Sequence, residues 1–189
     1  MLNGISANTS QHMLLDAGVV YTGFTSPSSM GTVIGATRGG NSFEYTPEVR
    51  DMPVDGAPGK VKGYKRILSA DAKLTVNMLE VTVGTAKAST VGLTSEDYPA
   101  SPGTKTHDKI VPTLEIALAE YKNIAFVCKM HEKDEYAIIV LKNALSSGPL
   151  SISAKEKDEA VMAITFEAHF DSASLGEVPF EMYIPIDKK

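Results

Sequence analysis

Over most of this chain the side chains change character at every second residue, a rhythm that rules out a mainly helical fold. From Ala160 to Phe170, Ala160, Met162, Ile164, Phe166, Ala168 and Phe170 fall on one face and Thr165, Glu167 and His169 on the other. Successive side chains of an extended backbone point to opposite sides, so this pattern predicts a half-buried antiparallel strand. Residues 124–130 and 150–157 alternate too. Tyr136 to Leu141 is apolar on both faces and rich in branched residues, which predicts a central strand covered on each side. The polar turn His131-Glu132-Lys133-Asp134 should join 124–130 to 135–142 as a hairpin. Ser146-Ser147-Gly148-Pro149 and Glu156-Lys157-Asp158-Glu159 punctuate the next two strands, so the C-terminal half reads as a meander.

The first half carries the same period with more glycine. Val19 to Phe24 follows Asp16-Ala17-Gly18 as a strand, and Ala72, Leu74, Val76 and Met78 alternate later. Pro47 is in phase with Phe43, Tyr45 and Val49, and a proline cannot donate to a ladder, so that strand should be an edge or bend there. Residues 51–63 hold two prolines and three glycines with Asp55-Gly56 as a hairpin tip, and 38–63 reads as one or two exposed bends. Helix is scarce: Thr85 to Leu93 fits two turns capped by Thr85 with Ala88 and Val91 inward. Residues 113–121 fit helical and strand spacing equally. Residues 94–108 have turn composition without periodicity, as a loop and a contact arm would.

Composition narrows the function classes. A chain of 189 residues suffices for one domain, taken as 1–189, and a net charge of −5 argues against a surface built to hold phosphates. The single cysteine, Cys128, lies in an apolar run and reads as a small buried hydrophobe, which leaves no intramolecular disulfide. No basic-then-apolar leader opens the chain and no apolar run approaches the roughly 20 residues of a membrane span. His12, His107, His131 and His169 match no zinc spacing, and Gly35 with Gly39-Gly40 fits positive-φ positions in a turn better than a phosphate loop. Asp134-Glu135 and Asp158-Glu159 read as solvated loop charge, and no nucleophile, base or metal set emerges. The expectation is a non-enzyme without cofactor or metal. Lys60, Lys62, Lys65 and Arg66 form a basic cluster suited to a solvated face or to an acidic patch on a neighbouring copy.

The order of several short segments resembles a known family. G-V-V-Y (18–21), I-G-A-T-R-G-G-N-S-F-E (34–44), V-D-G-A-P-G-K-V-K-G-Y-K-R (54–66), A-K-L-T-V-N-M-L-E-V-T (72–82), A-E-Y-K-N-I-A-F-V (119–127), K-N-A-L (142–145), I-T-F-E-A-H-F-D (164–171) and P-F-E (179–181) together are similar to the major tail tube proteins of bacteriophages with long, non-contractile tails. The resemblance implies a mainly β fold: a small β-sandwich or barrel with one short flanking helix and a projecting hairpin that completes an inner barrel on oligomerisation. It implies hexameric rings stacked into a tube, made in the host cytoplasm and ending in the virion tail, with double-stranded DNA passing through unbound. Implied partners are further copies of the chain, the tape measure, the tail terminator and the distal tail proteins, with no membrane. After Pro179 there is room for one closing strand near Phe180 to Ile184 and no further domain.

Within that frame the 38–83 region is the expected inner hairpin. Glu44, Thr46, Glu48 and Arg50 should share one face and Phe43, Tyr45 and Val49 the other, which makes Glu44 and Glu48 candidates to line the lumen. Segments 1–15 and 94–108 are candidates for contacts between rings, with Asp97, Tyr98 and Lys105 in the second and Lys60 and Lys62 in the basic cluster. Two other classes predict different behaviour. A tail terminator, completion or decoration protein of similar β fold would form a closed ring or trimer that never elongates. A ligand-binding barrel would need a sealed apolar pocket and no open edge.

Overall fold

The protein is described here by a computed structural model covering residues 4–6, 8–99 and 103–186, apart from the side chain of Lys155. Among these residues the alternating runs become β1 (Leu14–Thr22), β2 (Thr32–Val33), β3 (Thr37–Asp51), β4 (Lys65–Met78), β5 (Leu93–Tyr98), β6 (His107–Pro112), β7 (Lys122–Met130), β8 (Tyr136–Ala144), β9 (Ser153–Lys155), β10 (Asp158–Glu167) and β11 (Phe180–Tyr183), with one helix, α1 (Val83–Ser89). One sheet has the order β11-β8-β7-β1-β2 and a second the order β3-β4-β10-β9, while β5 and β6 form a separate two-stranded ribbon. The mainly β fold with a single short helix is as expected.

The two larger sheets face each other because each has an apolar side that only the other can cover. Leu74, Val76 and Met78 of β4 and Met162, Ile164 and Phe166 of β10 meet Val20, Ile124, Phe126 and Leu141 of the first sheet. Cys128 is buried in the same layer, and burial pushes its thiol pKa up. β8 is covered on both sides, as its continuous apolar run predicts. Leu141 faces the sandwich, while Ile138 and Val140 join Ala125 and Val127 in a second cluster packed with Phe24 and Met30. The backbone carrying Phe24 is tied down by Asn123, whose Nδ2 donates to the Phe24 carbonyl at 3.2 Å.

The 124–130/135–142 hairpin forms, with Lys129 opposite Tyr136, and the closing strand after Pro179 pairs with β8, Phe180 opposite Leu141. The meander does not. After Ala144 the chain crosses to the second sheet for β9 and β10, then returns as β11. β10 can bury Met162, Ile164 and Phe166 only from the opposite layer, so alternation revealed the strand and not the sheet that holds it.

Other corrections follow from local geometry. β1 begins at Leu14, and the Asp16-Ala17-Gly18 stretch is a bulge inside it, with φ of 65° at Asp16 and 71° at Gly18. Gly39 and Gly40 do take positive φ, 87° and 86°, yet they form a bulge within β3 where a turn was expected. The bend assigned to 38–63 therefore shrinks to the segment between Asp51 and Lys65. The helix is capped by Thr82: its Oγ1 accepts from the Thr85 N–H at 3.1 Å while Thr85 Oγ1 accepts from the Thr82 N–H at 2.7 Å, so Thr85 is the third residue of a capping box. Residues 113–121 adopt neither expected form, giving only a 3-10 turn at Leu118–Glu120. Asp158 and Glu159 open β10 and both clasp Arg38, Asp158 at 2.7 Å; they are not loose loop charge.

Candidate assembly surfaces

β3 and β4 pair over nearly their whole length, but β10 covers β4 only from Met78 to Lys73. Just beyond β10 the Ala168 N–H still donates to the Ala72 carbonyl at 3.0 Å, so Lys65–Asp71, seven residues of β4, run past the second sheet, roughly 24 Å at about 3.4 Å per residue. β3 is the edge strand, in keeping with Pro47. The projection thus has open backbone along both sides, and such an edge is a template for another strand.

One face of this hairpin is apolar from root to tip. Near the root Phe43 and Tyr45 pack on Phe180 of β11, with ring centroids 5.5 and 4.7 Å apart. Beyond Phe180 the covering sheet ends. Val49 (48% exposed), Ile67 (56%) and Leu68 (50%) continue the face with nothing over them, and Met52 and Tyr64 near the tip are exposed as well. Ile67 and Leu68 were not among the sequence candidates. Their signal was the adjacent apolar pair in Lys65-Arg66-Ile67-Leu68, which breaks alternation because β4 carries an extra residue between the Glu48–Ser69 and Val49–Ile67 pairs.

The opposite face is polar, as predicted. Glu44, Thr46 and Glu48 lie opposite Lys73, Asp71 and Ser69, and Ser69 Oγ donates to Glu48 at 3.0 Å. Lys73 also reaches Glu167 on β10 at 2.8 Å, which holds the Glu167 carboxyl below its ordinary value. Glu44 and Glu48 are exposed on this face. Lys60 lies in the bend and binds Asp51 at 3.0 Å, which Lys65 also approaches at 3.6 Å; Lys62 is exposed beside it.

The expected loop 94–108 is mostly the β5–β6 ribbon. Alternation failed to show it because both faces are largely exposed and no core sorts its residues. Its base is pinned where Thr113 N–H donates to the Gly92 carbonyl at 2.7 Å; a Cβ on Gly92 would lie 2.6 Å from the Thr113 carbonyl oxygen, and φ there is 70°. Asp97 and Asp108 are directly opposed, a repulsive placement. Lys105 relieves it, binding Asp108 at 2.8 Å and Asp97 at 2.9 Å, and the two carboxylates push the ammonium pKa up. A raised lysine pKa keeps the Lys105 ammonium charged throughout the neutral range, and raising the pH discharges it only in strong alkali. Tyr98 and His107 stack edge to face across the other side at 6.5 Å. Lys105→Met is expected to raise amide exchange at Thr106 and its ribbon neighbours about tenfold, without moving the global melting temperature. Unchanged exchange would show that the clamp contributes nothing.

Asp97, Tyr98 and Lys105 are thus brought together on the ribbon, while Lys60 and Lys62 sit on the separate β3–β4 bend. Residues 1–3, 7 and 100–102 of the two expected contact segments lie outside the described residues. Of the rest, Met13 accepts from the His131 N–H at 2.9 Å and Ser10 Oγ donates to Glu132 at 2.9 Å, which ties the N-terminal segment to the β7–β8 turn. A cavity of about 590 Å³ opens to solvent between α1, β2 and the segment before β7, lined in part by Val33, Val83, Val91, Lys87 and Glu120. Among the described residues no group of three or more His, Cys, Asp and Glu is placed to hold a metal ion, and no helix is long and apolar enough to cross a membrane.

No family model matches this chain, and no curated protein does. Among the solved structures that do match is one described as the tail of an empty GTA particle, computed with helical refinement under C6 symmetry. It is 9% identical, covers 82% of this chain and 92% of its own, and superposes with a TM-score of 0.41. At those values no fold, role, partner or residue is carried over from it.

Proposed function

We propose that this chain is a structural, non-enzymatic protein of a phage-like tail, whose copies join edge to edge into hexameric rings that stack as the tail tube, the conduit for DNA. The observation that carries the reading is the β3–β4 hairpin. It projects past its own sheet with free backbone on both sides and an uncovered apolar face at Val49, Ile67 and Leu68. Pro47 and the bulges interrupt this edge only locally, and along the rest of it a neighbouring copy can complete the ladder by strand addition. The order and spacing of residues shared with tail tube proteins supports the same reading from the sequence side. Repeated head to tail, one such contact closes a ring when the rotation allows it.

In this arrangement the polar face borders the lumen, and Glu44 and Glu48 contribute negative potential there. The ribbon carrying Asp97, Tyr98 and Lys105 and the bend carrying Lys60 and Lys62 reach to the next ring. The tape measure, terminator and distal tail proteins meet the tube at its lumen and ends. The test is negative-stain microscopy of the purified, concentrated protein: hollow tubes of stacked rings are expected. Closed rings or trimers that never lengthen would favour a terminator, completion or decoration role, and a permanent monomer would overturn the proposal.

A further inference from the structure

On the polar face of the β3–β4 hairpin, charge is sorted by position. Glu44, Glu48 and Asp71 occupy the middle, and Arg50 and Arg66 lie directly opposite one another nearer the tip. Opposed residues of an antiparallel pair have Cβ atoms about 5 Å apart, and like charges there repel. Lys60 and Lys65 close by are satisfied by Asp51. Among the described residues neither guanidinium has a hydrogen bond or ion pair. Two cationic residues thus occupy opposed positions towards the tip of a projecting hairpin, and the guanidinium is the side chain best shaped to grip carboxylates.

We infer that Arg50 and Arg66 of one copy dock onto Glu48 and Asp71 of the next copy, a contact that sets the stagger between neighbouring hairpins. This rests on the self-assembly reading above and adds the partner surface to it. The two patches share a face but lie at different heights along the strands, so they match only if adjacent hairpins are shifted along their length. Strands that close a barrel must be staggered in that way. The patches also differ from one another, so the contact is heterologous and every copy offers one of each. A free polyanion such as DNA is a poorer occupant, because the acidic band beside the arginines would repel it.

The test uses two variants of the full chain, Arg50→Glu/Arg66→Glu and Glu48→Arg/Asp71→Arg, with circular dichroism and thermal melting to establish folding. Each alone is expected to stay unassembled at about ten times the wild-type assembly concentration. Mixed one to one they should form tubes, since the acidic tip of one then meets the basic band of the other. A milder variant, Arg50→Gln/Arg66→Gln, should raise the wild-type assembly concentration about tenfold. Wild-type assembly should also weaken in roughly 1 M salt, where the screening length is about 3 Å. Normal tubes from both charge-reversed variants sink this contact and leave the tube reading standing, as do folded variants that fail even when mixed. Wild-type binding of a short labelled DNA duplex that Arg50→Glu/Arg66→Glu abolishes makes nucleic acid the occupant and overturns the inference. A wild-type chain that never assembles sinks the proposed function and this contact with it.

Discussion

The triple substitution Val49→Ser, Ile67→Ser, Leu68→Ser is expected to abolish assembly while leaving a chain that still folds, with a melting temperature lowered by up to about 10 °C. About half of each side chain is already exposed in the single chain, so its removal takes only the buried half from the monomer, at a cost of up to roughly 1 kcal/mol per residue. Covering the exposed halves in a contact between copies stabilises that contact by roughly 1 kcal/mol per residue, or about 3 kcal/mol and a hundredfold. Sedimentation and microscopy at matched concentrations read the effect. Tubes at the wild-type concentration would mean that this face is not the interface, whereas a chain that no longer folds would mean that the monomer relies on this face for its own core.

Leu74→Ala should act in the opposite way, through the fold. Leu74 is fully buried at the centre of the sandwich, opposite Phe43 on one side and Phe166 on the other. Its truncation leaves a cavity that rigid strands cannot close, and buried leucine-to-alanine changes cost about 2–5 kcal/mol. Urea unfolding should show roughly 3 kcal/mol of lost stability and thermal unfolding a melting temperature lower by about 6–12 °C. A loss below about 1 kcal/mol would contradict the central place given to this residue. The two predictions separate on association, since the first removes it from a chain that still folds while the second weakens the fold and leaves the hairpin's exposed face unaltered.

Where one face of a strand is buried, the chain's own pattern announces it. Met162, Ile164 and Phe166, the covered β8 run, the β7–β8 hairpin, Pro47 on an edge and the closing strand at Phe180 were all legible, because water sorts side chains at the strand period wherever there is an inside to sort them to. The ribbon at 93–112 was missed for the converse reason: with both faces exposed, nothing imposes alternation on it. Ile67 and Leu68 were obscured by a bulge, which shifts the phase by one residue. The charges at Asp158 and Glu159 looked idle because their partner, Arg38, lies 120 residues away.

Strand content, the apolar faces and the acidity of this chain are properties of residues a few positions apart, so the sequence by itself determined them. Tertiary structure alone decided which sheet each strand joins, that seven residues of β4 run past the second sheet, and that Arg50 stands directly opposite Arg66. Those outcomes depend on where distant strands begin and end relative to one another, and register between strands is set by packing across the core rather than by any local run of residues.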